Sequence, residues 1–185
     1  MIAVARTNAE AHLYMDLRPC RCGENRFPRT SAVVAFAGDL VSEYSGACAR
    51  CRAERVFRFR LPDARAPAAR NALRFGGDQP SELLDPGEWL TVADHYARTA
   101  PIDGSGFDPG RGRALRQQLA IAVAALDEVL KFVPAGSDVV PASAFVTARG
   151  RSVYAAGTDR FRRGRLEAVR DTYRRLWSQL GAQRA

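Results

Sequence analysis

Histidine is nearly missing from this chain, with only His12 and His95 among 185 residues. Imidazole acid–base chemistry therefore has few places to form. Asp94-His95-Tyr96 is not a triad in waiting, because neighbours on a helix point in different directions. Lysine is rarer still, Lys131 being the only one among 28 Lys and Arg residues. That arginine bias fits a GC-rich genome as well as it fits a need for guanidinium groups. No apolar run approaches the ~20 residues that a membrane-spanning helix needs. The opening residues Met1–Arg6 lack the length and charged leader of a secretory signal, so a cytoplasmic protein with no membrane contact is expected. The glycines at Gly76-Gly77 and Gly104-Ser-Gly106 lack the Lys and Ser/Thr of a phosphate loop. A zinc deaminase is excluded too: His12 is followed by Leu13 and Tyr14, not by the required His-x-Glu, and the proline precedes Cys-x-Cys. With no catalytic constellation visible, the chain reads as a binding protein and not an enzyme.

What is present in quantity is positive charge, +8 in all. It is uneven: residues 1–61 carry ten Arg against six acids, 62–148 eight basic residues against eleven acids, and 149–185 ten Arg against three. Such a balance suits an acidic protein surface or a phosphate backbone as partner.

The strongest signal is the four cysteines, Cys20, Cys22, Cys48 and Cys51, in two close pairs separated by 25 residues. Zinc takes four ligands in a tetrahedron, and thiolates supply softness and negative charge. Cys48-x-x-Cys51 has the usual knuckle spacing, while Cys20-x-Cys22 is one residue short of it. Gly23 suits a sharp turn behind the first pair. A Cys-x-Cys disulfide would be strained, and a reducing compartment disfavours disulfides altogether. One structural Zn²⁺ per chain is therefore expected, with four sulfurs filling the shell and His12 left over. Four thiolates and one Zn²⁺ would lower the working charge to about +6.

Thr7 and Glu10 form a capping box that predicts a first helix over 8–17, stopped by Pro19. Thr30–Phe36, a turn at Gly38-Asp39, Val41–Tyr44 and the alternating Arg55–Arg60 predict a three-stranded sheet. On the last strand Phe57 and Phe59 face one side, and Val56, Arg58 and Arg60 the other. Residues 62–80 read as a connector. Asp85 as N-cap, Pro86, Glu88 and the Leu84/Trp89 staple then mark a helix to about Arg98. Asp108-Pro109 opens another to about residue 132, with Leu115, Leu119, Ala122, Leu126, Val129 and Val133 on one seam. A short helix precedes Gly157. Thr158-Asp159 should cap a last helix to Leu180, with Gly181 as its stop. The expected fold is α+β: residues 1–61 form a short helix and zinc ribbon, packed on a helical region of four or five helices in 81–185.

Arg163, Arg170 and Arg174 share one stripe of the last helix, and could follow a phosphate backbone. Glu167 and Asp171 interrupt it at helical spacing, which favours a solvated, ion-paired face. From Arg18-Pro-Cys-Arg-Cys-Gly23 to Phe57-Arg-Phe59 the chain resembles zinc-ribbon domains. Arg74-Phe-Gly-Gly-Asp78, Leu84-Asp-Pro-Gly-Glu-Trp89, Leu130-Lys-Phe-Val-Pro-Ala-Gly136 and Phe161-Arg-Arg-Gly-Arg-Leu-Glu167 extend the likeness to uncharacterised actinobacterial proteins that pair a ribbon with helices. That resemblance implies an immunity-type role, neutralising a secreted toxin. The leading expectation is thus a protein-binding zinc-ribbon protein. A nucleic-acid-binding regulator is the alternative, and an enzyme of unknown chemistry a third.

Overall fold

The structure, a computed structural model, describes residues 2–62, 73–98 and 109–182. Within them the chain is α+β, with a three-stranded antiparallel sheet and five α-helices. It divides into two compact units. The first holds the chain through Pro62 with Phe75–Gly77 and Ser81–Leu83, and the second holds the chain from Leu84 onward with Asp78–Pro80. Residues 63–72 of the expected connector, the breaks at Pro101 and Gly104–Gly106, and Asp108 lie outside the described residues. Among the described residues no helix is long and apolar enough to cross a membrane.

In the first unit, α1 (Asn8–Asp16) starts where the Thr7 hydroxyl accepts the Glu10 N–H at 3.1 Å. Glu10 does not reach back to Thr7. Its buried carboxylate instead accepts the Arg6 N–H at 2.8 Å, the Arg6 guanidinium at 2.6 Å and the Ser81 hydroxyl at 2.6 Å. Burial of this carboxylate is tolerable because its oxygens are so fully partnered. Thr7 also donates to the Phe75 carbonyl at 2.8 Å, so both segments beyond the sheet are tied to α1.

The sheet follows as β1 (Arg29–Phe36), β2 (Asp39–Ala47) and β3 (Glu54–Arg60), in that spatial order. Phe36 pairs with Asp39, so the turn is Ala37-Gly38, one residue earlier than expected. A two-residue hairpin turn of this kind needs two positive φ angles, and Ala37 (53°) and Gly38 (89°) supply them. The second strand is longer than Val41–Tyr44 because its pairing with β3 continues to Ala47↔Glu54. Tyr14 of α1 meets Phe57 and Phe59 edge-on at 6.3 and 5.6 Å, and His12 meets Tyr44 at 5.4 Å. These rings make the small core of the unit. Residues 3–5 run parallel to the end of β3 and bridge to Arg60.

In the second unit, α2 (Pro86–Arg98) and α4 (Ala148–Ala156) begin at one point. One oxygen of the buried Asp85 carboxylate accepts the Glu88 N–H at 3.0 Å. The other accepts the Thr147 N–H at 2.8 Å and its hydroxyl at 2.7 Å, and Thr147 itself caps α4 through Gly150 N–H. A Cβ on Gly150 would lie 2.0 Å from the Asp85 carboxylate, so only glycine fits there. On α3 (Pro109–Leu130) and just beyond it, all six seam residues from Leu115 to Val133 are buried. Leu115 and Leu119 pack on Tyr173, Leu176, Trp177 and Leu180 of α5 (Arg163–Ala182).

The last helix departs from expectation at both ends. Thr158–Phe161 is a separate 3₁₀ turn, Arg162 is extended, and α5 starts only at Arg163. The chain is held open there by Val140 N–H on the Phe161 carbonyl (3.1 Å) and Arg163 N–H on the Asp138 carbonyl (2.7 Å). This bend seats Phe161 against Phe145 at 4.7 Å in the core. At the far end the helix continues through Gly181 to Ala182.

Candidate metal centre

Each cysteine pair sits on a backbone turn at one end of the sheet. In the first, Cys20 N–H donates to the Glu24 carbonyl at 2.9 Å and the Cys20 carbonyl accepts Gly23 N–H at 2.7 Å. In the second, Cys48 N–H donates to the Ala53 carbonyl at 2.9 Å and the Cys48 carbonyl accepts Arg52 N–H at 3.0 Å. Both bonds span one residue fewer in the first turn, which absorbs the residue missing from Cys20-x-Cys22. The residue after each pair has a positive φ, Gly23 at 86° and Arg52 at 61°. Glycine adopts this freely, whereas Arg52 is held there by its turn.

The turns meet because β1 and β2 fold back on each other and Ala49 N–H donates to the Arg26 carbonyl at 3.1 Å. Arg55 adds a second clamp. Its guanidinium lies 4.6 Å from the Phe27 ring centre and 5.1 Å from that of Phe57, and it donates to the Arg18 carbonyl just ahead of Cys20.

The four Sγ atoms all lie within 4.8 Å of one another. Across the turns, Cys20 and Cys51 sulfurs are 3.5 Å apart, and those of Cys22 and Cys48 are 3.6 Å apart. A Zn–S length of about 2.3 Å puts sulfurs about 3.8 Å apart in a tetrahedron, so this cluster has the right size. The cysteines are unbridged; Cys20 and Cys48 are buried and Cys51 is exposed.

The electrostatics suit a cation. N–H groups of Cys51 and then Arg50 point at the Cys48 sulfur and, with hydrogen bonds from the Cys22 and Cys51 thiols, hold its pKa down at about 6. The Ala53 N–H acts likewise on Cys51. Hydrogen bonds with Cys20 and Cys22, together with burial, outweigh it and push Cys51 up to about 11. A cation bound among the sulfurs would favour their deprotonated forms. These four cysteines can hold a metal ion. His12 is not among the converging ligands and stays against Tyr44.

No family model, curated protein or solved structure matches this chain. Its chemistry must be read from its own residues.

The three tail arginines are not a free stripe. Arg174 reaches Asp127 of α3 at 2.9 Å, Arg170 reaches it at 3.5 Å, and both contact Asp171 at 3.8 and 3.0 Å. Arg163 turns to the carbonyls of Val133, Pro134 and Ser137, each at 3.4 Å. Asp171 acts as its spacing implied. The main carboxylate partner, Asp127, was invisible in the sequence because it comes from another helix. Around the cysteines, by contrast, Arg21 and Arg52 are exposed and have no ion pair among the described residues. Arg50 beside them donates to the Cys22 carbonyl at 3.1 Å. The sequence signal for this rim was simply Arg21 between Cys20 and Cys22, and Arg50 and Arg52 on either side of Cys51.

Proposed function

We propose that Cys20, Cys22, Cys48 and Cys51 hold one structural Zn²⁺, and that the resulting ribbon docks onto an acidic protein surface. The observation that carries the reading is the convergence of four sulfurs, which are all the ligands a tetrahedral shell takes. Such a shell leaves no position for water or substrate, which supports a binding role over an enzymatic one. Arg21, Arg50 and Arg52 at the tips of the turns offer the charge for an acidic partner. The partner is a protein that this one regulates or, as in an immunity pair, a toxin that it neutralises. Nucleic acid is the competing partner, and the engagement of Arg170 and Arg174 by Asp127 speaks against the tail as its site.

The test is affinity capture on zinc-loaded protein, wild type beside Arg21→Glu/Arg52→Glu, with eluates analysed for both protein and nucleic acid. A protein retained by wild type and released by the charge reversal supports the reading. Nuclease-sensitive capture alone would replace it with the nucleic-acid reading.

A further inference from the structure

The two edges of the sheet are treated differently. At β3, residues 3–5 pair with Arg60, and Glu54, Arg58 and Arg60 charge the strand. At β1, no strand pairs with the outer edge among the described residues, and no charged residue lies between Arg29 and Asp39. Six of the eight residues of β1 are exposed. Val33 is 61% exposed, Phe36 40% and, across the hairpin, Leu40 61%. Proteins commonly guard such an edge with charge, proline or a bulge, because its free backbone groups recruit another strand. Between Thr30 and Phe36 this edge has none of them.

The register says what fits. Phe36 and Asp39 close a two-residue hairpin and so form a hydrogen-bonded pair. Counting back by twos, Val34, Ala32 and Thr30 turn their backbone groups to β2, while Ser31, Val33 and Ala35 turn theirs outward. These three are symmetric about Val33. An antiparallel copy of the same strand would set Val33 opposite Val33 and Ser31 opposite Ala35, matching outward donors with outward acceptors. Only small or apolar side chains meet, and no like charges face each other.

We propose that the protein forms a two-fold dimer by pairing β1 with β1 of a second copy, making one six-stranded sheet. Among the described residues β1 is the unguarded edge, the other being charged and bridged at β3, so the assembly closes at two. The inference stands apart from the partner-binding reading, since it uses neither the metal centre nor the arginine rim.

Sedimentation velocity over about 1 to about 200 µM tests it, with zinc content and thermal melts as controls. Wild type should be dimeric in the upper part of that range. Val33→Lys, at an exposed position, should weaken the dimer at least ~tenfold by setting two ammonium groups opposite each other. Ser31→Lys/Ala35→Glu in one chain should keep it, because each new Lys would face a new Glu across the two-fold. Hydrogen exchange should also show the Ser31, Val33 and Ala35 amides of wild type gaining protection as concentration rises. A wild type that stays monomeric throughout, a dimer indifferent to Val33→Lys, or loss of the dimer in the Lys/Glu variant would each overturn the proposal. Partner capture can succeed or fail in Val33→Lys without bearing on that outcome.

Discussion

Cys48 is the residue on which the candidate metal centre most depends. It is fully buried, the backbone N–H groups of Cys51 and Arg50 favour its thiolate, and its carbonyl and amide both close the second turn. Cys48→Ser should therefore lose the metal entirely and loosen the sheet, since metal binding and folding are one free energy in a unit with so small a core. Elemental analysis of protein purified under reducing conditions should give one zinc per wild-type chain and none in the variant. Metal-free wild type would defeat the assignment. The four-cysteine cluster was legible in the sequence because a soft-ligand site depends on residue type and local spacing, and both are written in the chain. The hairpin turn was less legible. Asp39 looks like a turn residue in sequence, yet it is the pairing partner of Phe36, and Ala37 occupies a left-handed position instead. An L-residue with a Cβ is disfavoured there, and asparagine tolerates the conformation better. Ala37→Asn should accordingly raise stability to urea by about 0.5–1 kcal/mol, with zinc content unchanged.

At the scale of elements, one carboxylate does the work of two caps. Asp85 starts α2 and also anchors Thr147, which starts α4. Removing it leaves two helix ends short of an acceptor in a buried place. Asp85→Ala should cost about 2–4 kcal/mol in chemical denaturation, and Asp85→Asn distinctly less because one acceptor oxygen remains. The cap on α2 was readable, since Asp-Pro-x-Glu is a local pattern. The link to α4 was not, because the two residues are 62 apart. The same division explains the helices. The α3 seam follows from period alone, and Leu126→Ala, at a buried position on it, should cost about 2–5 kcal/mol. The late start of α5 does not follow from period. Thr158-Asp159 has the chemistry of a cap, but backbone pairing of residues 138–140 with 161–163 and the burial of Phe161 override it. Tertiary contacts of that kind leave no trace in a short window of sequence.

For the whole molecule the decisive quantity is how much of its positive charge is available to a partner. Formal charge counts Arg170 and Arg174 in full, whereas Asp127 and Asp171 take up much of their field. Arg163 is spent on carbonyls of the loop that follows α3. The tail should then bind DNA and RNA weakly, without sequence preference, and lose that binding as salt rises from about 50 to about 200 mM. A dedicated nucleic-acid binder would instead keep a preference for one sequence or structure at physiological salt. Titration of labelled DNA and RNA at several salt concentrations separates the two. The Arg163→Ala/Arg170→Ala/Arg174→Ala variant should differ little from wild type, because those groups are already engaged. Asp127→Ala should bind nucleic acid more tightly than wild type at low salt, since it removes one negative charge and leaves Arg170 and Arg174 with Asp171 alone. Its own stability cost should be only about 0.5–1 kcal/mol, as the ion pairs are half exposed. Sequence-selective binding at physiological salt that the triple variant abolishes would restore the tail as a nucleic-acid site and displace the acidic protein partner. Gain of salt-sensitive binding in Asp127→Ala alone would show that α3 silences the tail, leaving the arginine rim of the metal centre as the charged surface on offer.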